Sequence, residues 1–230
     1  MFDFVNNAFS KFLATTTHAV GKIKQFGSAV GKGVISASKF LTPKAESNAN
    51  LSGLSATLAK ITNAAYKQSR PDIIDNYNLD KELSNPETAI YYNQTNVIIG
   101  FRGTVNAKDL VTDIGIIKGS TNDPRYREAV DIYNKVKAKY PELKIIATGH
   151  SLGGNLALYL NSLYGIESES FNAGLGLGFI KSNPNKDKAT LHIIKGDPIS
   201  SLGALSSLGK VRMYNAIIDN PHSMQNYITQ

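Results

Sequence analysis

Lys144-Ile145-Ile146-Ala147-Thr148-Gly149-His150-Ser151-Leu152-Gly153-Gly154-Asn155-Leu156 decides how this 230-residue chain is read. Lys144 to Thr148 is apolar through its centre and predicts a short buried strand. Gly153 to Tyr164 carries Leu156, Leu160 and Leu163 at helical spacing and predicts a helix. Between the two stands a G-x-S-x-G pattern. Its small residues at 149, 153 and 154 let the backbone turn sharply from strand to helix, which lifts the Ser151 hydroxyl above a sheet edge. The Leu152 amide, near the start of the helix, can then face a developing negative charge.

The segments on either side repeat the alternation. Leu51 to Ser69 reads as a helix, and Ala89 to Asn93 with Asn96 to Phe101 reads as a strand pair turning between them. Asp123 offers an N-cap with Pro124 at the first helical position, and Tyr126, Val130, Tyr133, Val136 and Tyr140 line one face of the helix that follows. Pro141 stops it. Ser168 to Phe171, Thr190 to Lys195 and Val211 to Ala216 are further strands. Strands alternating with helices predict an α/β domain over residues 51–230, built on a central, mostly parallel sheet flanked by helices.

A serine hydroxyl becomes a nucleophile only when a base takes its proton, and that base needs a carboxylate to fix its tautomer. The four histidines are 18, 150, 192 and 222. His18 lies in the N-terminal stretch, His150 adjoins the serine, and His192 sits inside a strand, so both of the latter read as structural. His222 remains, in a loop after the last strand. Asp197 follows the strand ending at Ile194, where the carboxyl end of a parallel strand would present it beside Ser151. Asp219 is the alternative acid, three residues from His222 and equally suited to capping a turn. The chain order Ser, Asp, His is that of the α/β-hydrolases.

Residues 51–230 resemble the class 3 lipases, a branch of the α/β-hydrolases. Val97-Ile98-Ile99-Gly100-Phe101-Arg102-Gly103-Thr104 is similar to that family's oxyanion strand, and Thr148 to Gly154 to its nucleophile elbow. Gly196-Asp197-Pro198 and Pro221-His222-Ser223 are similar to its acid and base segments. The resemblance implies Ser151 as nucleophile, Asp197 as acid, His222 as base, and the Thr104 and Leu152 amides as an oxyanion hole. It also implies that Asp113 supports the Thr104 hydroxyl. The activity it implies is hydrolysis of lipid carboxylic esters through an acyl-enzyme, with no cofactor. Some proteins of this kind are encoded by viruses, and the Asn- and Lys-rich usage suits an AT-rich genome.

Composition bounds the other possibilities. Hydrophobic residues at 42% and charged residues at 19% are ordinary globular usage, which excludes a disordered, collagen-like or coiled-coil chain. The absence of cysteine excludes disulfides and thiolate chemistry, and no histidine pair has metal-ligand spacing. Of the net charge of +7, +4 lies in residues 1–50. There, apolar positions recur every three or four residues from Phe2 to Leu41, with Lys11, Lys22, Lys32 and Lys39 opposite them. This predicts a basic amphipathic helix and linker that either meets a membrane surface or packs on protein. No signal peptide, transmembrane run or nucleic-acid-binding module is evident. The competing reading is a catalytically idle module that binds or disrupts lipid through residues 1–50.

Overall fold

A computed structural model describes residues 49–104, 124–174, 183–197, 200 and 207–228. The expected amphipathic helix, together with Asp113 and Asp123, lies outside the described residues.

Helix α1 (Gly53–Ala64) is shorter than the Leu51 to Ser69 span expected. The Arg70 guanidinium donates to the Ala64 and Ala65 carbonyls at 3.3 Å each and so closes the helix C-terminus five residues early. Two short strands not anticipated from sequence follow, β1 (Ile73–Ile74) and β2 (Tyr77–Leu79). Strands β3 (Thr88–Tyr92) and β4 (Asn96–Phe101) form the expected antiparallel pair. Their turn is held by Asn93, whose Oδ1 accepts from the Thr95 and Asn96 amides. Then come α2 (Pro124–Lys139), β5 (Lys144–His150), α3 (Leu152–Tyr164) and β6 (Glu167–Phe171). A 3-10 turn (Lys186–Lys188) leads to β7 (Ala189–Ile194), β8 (Lys210–Tyr214) and α4 (Gln225–Ile228).

The eight strands lie in chain order in one sheet, antiparallel from β1 to β4 and parallel from β4 to β8. Because strand side chains alternate between faces, the central strands must be apolar on both sides. Val97, Ile99 and Phe101 of β4 pack with Ile145 and Ala147 of β5 against Tyr126, Ala129, Ile132 and Val136 of α2 and Leu156, Ala157 and Leu160 of α3. The opposite face, with Ile98, Ile146, Phe171, Ile194 and Tyr214, is covered by Leu58, Ala59 and Ile61 of α1 and Tyr227 of α4. Burying each large aliphatic here contributes about 1.5–3 kcal/mol, so the three-layer order is strongly specified.

Register fixes where the chemistry sits. Phe101 pairs with Gly149, His150 with Phe171, Phe171 with His192, and Ile194 with Tyr214. The carboxyl ends of β4 to β7 are therefore level. The segments that leave them, at Thr104, Ser151, Asn172 and Asp197, emerge along one edge of the sheet, as the right place for a site in a parallel α/β fold.

Candidate active site

The turn from β5 to α3 is as tight as the glycines permit. Ser151 has φ 56° and ψ −124°, outside the regions open to most L-residues, and is 3% exposed. Strain of this kind persists only when the surroundings impose it. A Cβ on Gly149 would overlap the Gly153 carbonyl, and one on Gly153 would overlap the Phe101 carbonyl oxygen, so α3 starts in direct backbone contact with β5 and β4. Gly103 is equally enclosed, since its Cβ would fall 2.8 Å from Ser151 Cβ. The segment Arg102 to Thr104 thus runs along the serine. The Leu152 amide, as the first of α3, has no partner within the helix by position.

Asp197 is fully buried three residues beyond β7. His222 Nδ1 lies 3.1 Å from each of its carboxylate oxygens, and Ser200 Oγ donates to Oδ2 at 2.7 Å. Asp219 is exposed. With Nδ1 turned to a carboxylate, the His222 ring carries its proton there and leaves Nε2 as the basic nitrogen. That Nε2 is buried with no hydrogen-bond partner among the described residues. Ser168 Oγ and Ser170 Oγ are the other buried side-chain polar atoms without a partner among the described residues, and both lie within β6.

The His222 loop is held from three sides. His150 Nε2 lies 2.6 Å from the His222 carbonyl oxygen. Asn172, at φ 44°, donates from Nδ2 to the Pro221 carbonyl at 2.8 Å, while its Oδ1 accepts from the Ile194 amide and from Tyr227 Oη. Asn226 donates to the Asn220 and Ser223 carbonyls and accepts from the Ile217 and Ile218 amides. Burial raises the Tyr227 phenol well above its ordinary pKa, with the Asp197 charge adding to the effect, so it remains a donor.

The β4 exit is clamped by charge. Glu87 accepts from Arg102 and from Arg125, which also donates to the Arg102 carbonyl at 2.9 Å. Arg102 thereby ties the β4 exit to the start of α2. Thr104 is half-buried beside Gly103. Asp113, expected to support its hydroxyl, lies outside the described residues.

His192 is enclosed in the sheet, with Nδ1 2.9 Å from Tyr214 Oη and Nε2 2.8 Å from Glu169 Oε2. It takes no part in the site. Asn172 and Tyr66 were invisible to motif reading because each acts across a tertiary contact, and Asn226 and Ser200 because their short-range loop contacts belong to no motif. Among the described residues no group of three or more His, Asp or Glu could hold a metal ion, and no helix is long and apolar enough to cross a membrane. A cavity of about 810 Å³, lined by Tyr66, Lys67, Arg70, Asp72, Lys81 and Arg102, borders the β4 exit. A second, of about 770 Å³, opens among Gln94, Thr95 and Leu143 at the opposite ends of β4 and β5, away from the serine.

A family model described as a Tle-like phospholipase domain matches residues 79–200, over half of the chain, a stretch holding Ser151 and Asp197 but ending before His222. "Putative lipase ATG15" of Yarrowia lipolytica is 45% identical over 51 residues, which is 22% of this chain and 9% of that protein. "Extracellular phospholipase A1" of Serratia liquefaciens is 32% identical over 100 residues, 44% of this chain and 31% of that one. The match thus spans under a third of either relative. Among solved structures, a lipase from Rhizopus microsporus var. chinensis is 17% identical with a TM-score of 0.45, over 71% of this chain and 74% of that chain.

Proposed function

The chain belongs to the family of Tle-like phospholipase domains, of class 3 lipase type with an α/β-hydrolase-like fold, and from that premise we propose that it hydrolyses carboxylic ester bonds of glycerolipids or phospholipids through an acyl-enzyme. The observation that carries the reading is Ser151 held at φ 56° on the strand-to-helix turn, at the sheet edge shared with the His222–Asp197 pair.

In this mechanism His222 Nε2 takes the Ser151 proton as Oγ attacks the ester carbonyl. Asp197 holds the ring in the required tautomer and stabilises the imidazolium. The Thr104 and Leu152 amides donate to the oxyanion, and Asp113 steadies the Thr104 hydroxyl. Collapse of the tetrahedral intermediate expels the alcohol, which takes the proton from His222. Water, activated by the same nitrogen, then releases the acid. No metal or organic cofactor enters any of these steps.

Residues 1–50 would meet the lipid surface, their lysines adding about 1 kcal/mol each near anionic headgroups. Replacing Lys11, Lys22, Lys32 and Lys39 by Gln in the full chain should then release it from anionic vesicles. The deciding experiment is hydrolysis of a panel of acyl esters and phospholipid vesicles by wild type and by Ser151→Ala. The variant should lose about 10³-fold or more in turnover. A folded Ser151→Ala protein with near-normal turnover would overturn the assignment, and a wild type that binds vesicles without hydrolysing any ester would favour an idle lipid-binding module.

A further inference from the structure

His150, read from sequence as structural, stands between two groups that the proposed mechanism needs in fixed positions. Its ring is buried, and both nitrogens are engaged: Nε2 lies 2.6 Å from the His222 carbonyl oxygen and Nδ1 lies 2.7 Å from Tyr66 Oη. The direction of each bond follows from chemistry. A carbonyl oxygen can only accept, so Nε2 carries the hydrogen. Burial, and then the neighbouring His222, hold the ring's pKa at about 3, so it is neutral and Nδ1 can only accept. Tyr66 must therefore donate its hydroxyl hydrogen to Nδ1, and burial, which pushes its pKa up to about 12, keeps that hydrogen on. The Tyr66 oxygen is then left to accept, and it receives the Gly103 amide at 2.8 Å.

The result is one chain of hydrogen bonds with a single permitted polarity, from the Gly103 N–H to Tyr66, from Tyr66 to His150, and from His150 to the His222 carbonyl. Its ends are the backbone of the segment that supplies Thr104 and the backbone of the base itself. Its middle is the residue covalently attached to Ser151. Such chains polarise one another and tolerate no rotated member.

We propose that Tyr66 and His150 are positioning residues that set the oxyanion segment and the His222 loop against Ser151 as one unit, an inference that rests on the reading of the site given above. A mere packing role would use the tyrosine ring alone, which lies edge-on to His150 at 5.9 Å between centroids. Tyr66→Phe keeps that ring and removes only the hydroxyl.

The test is steady-state hydrolysis of p-nitrophenyl butyrate by the full chain, with Ser151→Ala measured alongside. Tyr66→Phe is expected to lower kcat by about 10- to 100-fold, the usual consequence of misplacing catalytic groups by a fraction of an ångström to an ångström, with KM within about twofold of wild type. His150→Gln, whose amide can still donate towards the His222 carbonyl, should retain more turnover than His150→Phe. Adding Tyr66→Phe to His150→Phe should cost less than Tyr66→Phe alone, because only the Gly103 end of the chain is left to lose. An inert Ser151→Ala beside a folded Tyr66→Phe with wild-type kcat, or with its loss in KM alone, would overturn the relay and leave the site reading standing. Wild-type turnover by Ser151→Ala would overturn both. Should Tyr66→Phe fail to fold, the tautomer of His150 in the wild-type chain decides by nitrogen NMR: hydrogen on Nε2 is expected, and hydrogen on Nδ1 sinks the proposal.

Discussion

His222 Nδ1 is equidistant from the two carboxylate oxygens of Asp197, at 3.1 Å, while Asp219, only three residues from His222 in sequence, is exposed. A buried carboxylate that fixes the imidazole tautomer cannot be exchanged for its amide without loss, since the amide presents a donor to Nδ1 and favours the wrong tautomer. Asp197→Asn is expected to lower kcat on a soluble ester by about 10⁴-fold, as in the best-studied serine triad, and Asp219→Asn by far less. Kinetics of the two variants on one substrate check this, and the reverse order would move the role to Asp219.

The start of α3 rests on the backbone of β4 without an intervening side chain. In an exposed helix interior, glycine to alanine gains about 1 kcal/mol. At Gly153 the new methyl would overlap the Phe101 and Arg102 backbone, which has no rotamer with which to yield. Overpacking of this kind costs about 1–3 kcal/mol or more. Gly153→Ala should therefore lower the urea midpoint by an amount equivalent to about 2 kcal/mol despite its better propensity. An unchanged midpoint would mean that α3 can move away from the sheet freely.

The fold was legible where its signal is local. β5 is apolar on both faces because it is covered on both faces, and the glycines after it have one geometric use. β1 and β2 gave no signal, being two and three residues long at the sheet edge, too short to show a period. The end of α1 was misjudged because its cap, Arg70, lies six residues beyond Ala64, in what reads as a loop. Within the candidate site, the strand-end position of Asp197 could be read from the chain. Its contact with His222, 25 residues away, could be proposed only by chain order and resemblance. Asn172, Tyr66 and Ser200 had no motif at all. An Asn after a strand is an ordinary loop residue until Pro221, 49 residues later, is found within 2.8 Å of it.

Glu87 neutralises two guanidiniums at once. Arg102, Arg125 and Glu87 have side chains 25%, 19% and 33% exposed, so the cluster is screened only in part. Glu87→Ala leaves two cations facing one another at the β4 exit. The cost is expected to be about 1–2 kcal/mol, below that of a fully buried pair and above that of a surface one. Because like-charge repulsion is screened by ions, the loss should shrink between 0.05 M and 1 M salt. Urea denaturation at both salt concentrations measures it. Equal losses at low and high salt would assign the effect to packing rather than charge.

His150 also sets a pH dependence of stability. Burial and the adjacent His222 hold its pKa at about 3 in the folded chain, against 6.5 for the free side chain. Between these values the unfolded chain binds a proton that the folded chain refuses. The stabilising contribution of this residue is complete above about pH 6.5 and is lost progressively as pH falls towards 3, by up to about 1.4 kcal/mol per pH unit. His150→Gln removes that proton uptake, and with it the coupling to His222, while leaving His192 and the carboxylates in place. The free energy of unfolding, measured by urea at pH 4, 5, 6 and 7, should fall less steeply with acidification in the variant, by about one proton's worth over pH 4 to 6. Parallel curves would show that His150 takes up its proton in the folded chain as readily as in the unfolded one, and that the enclosure around it admits charge.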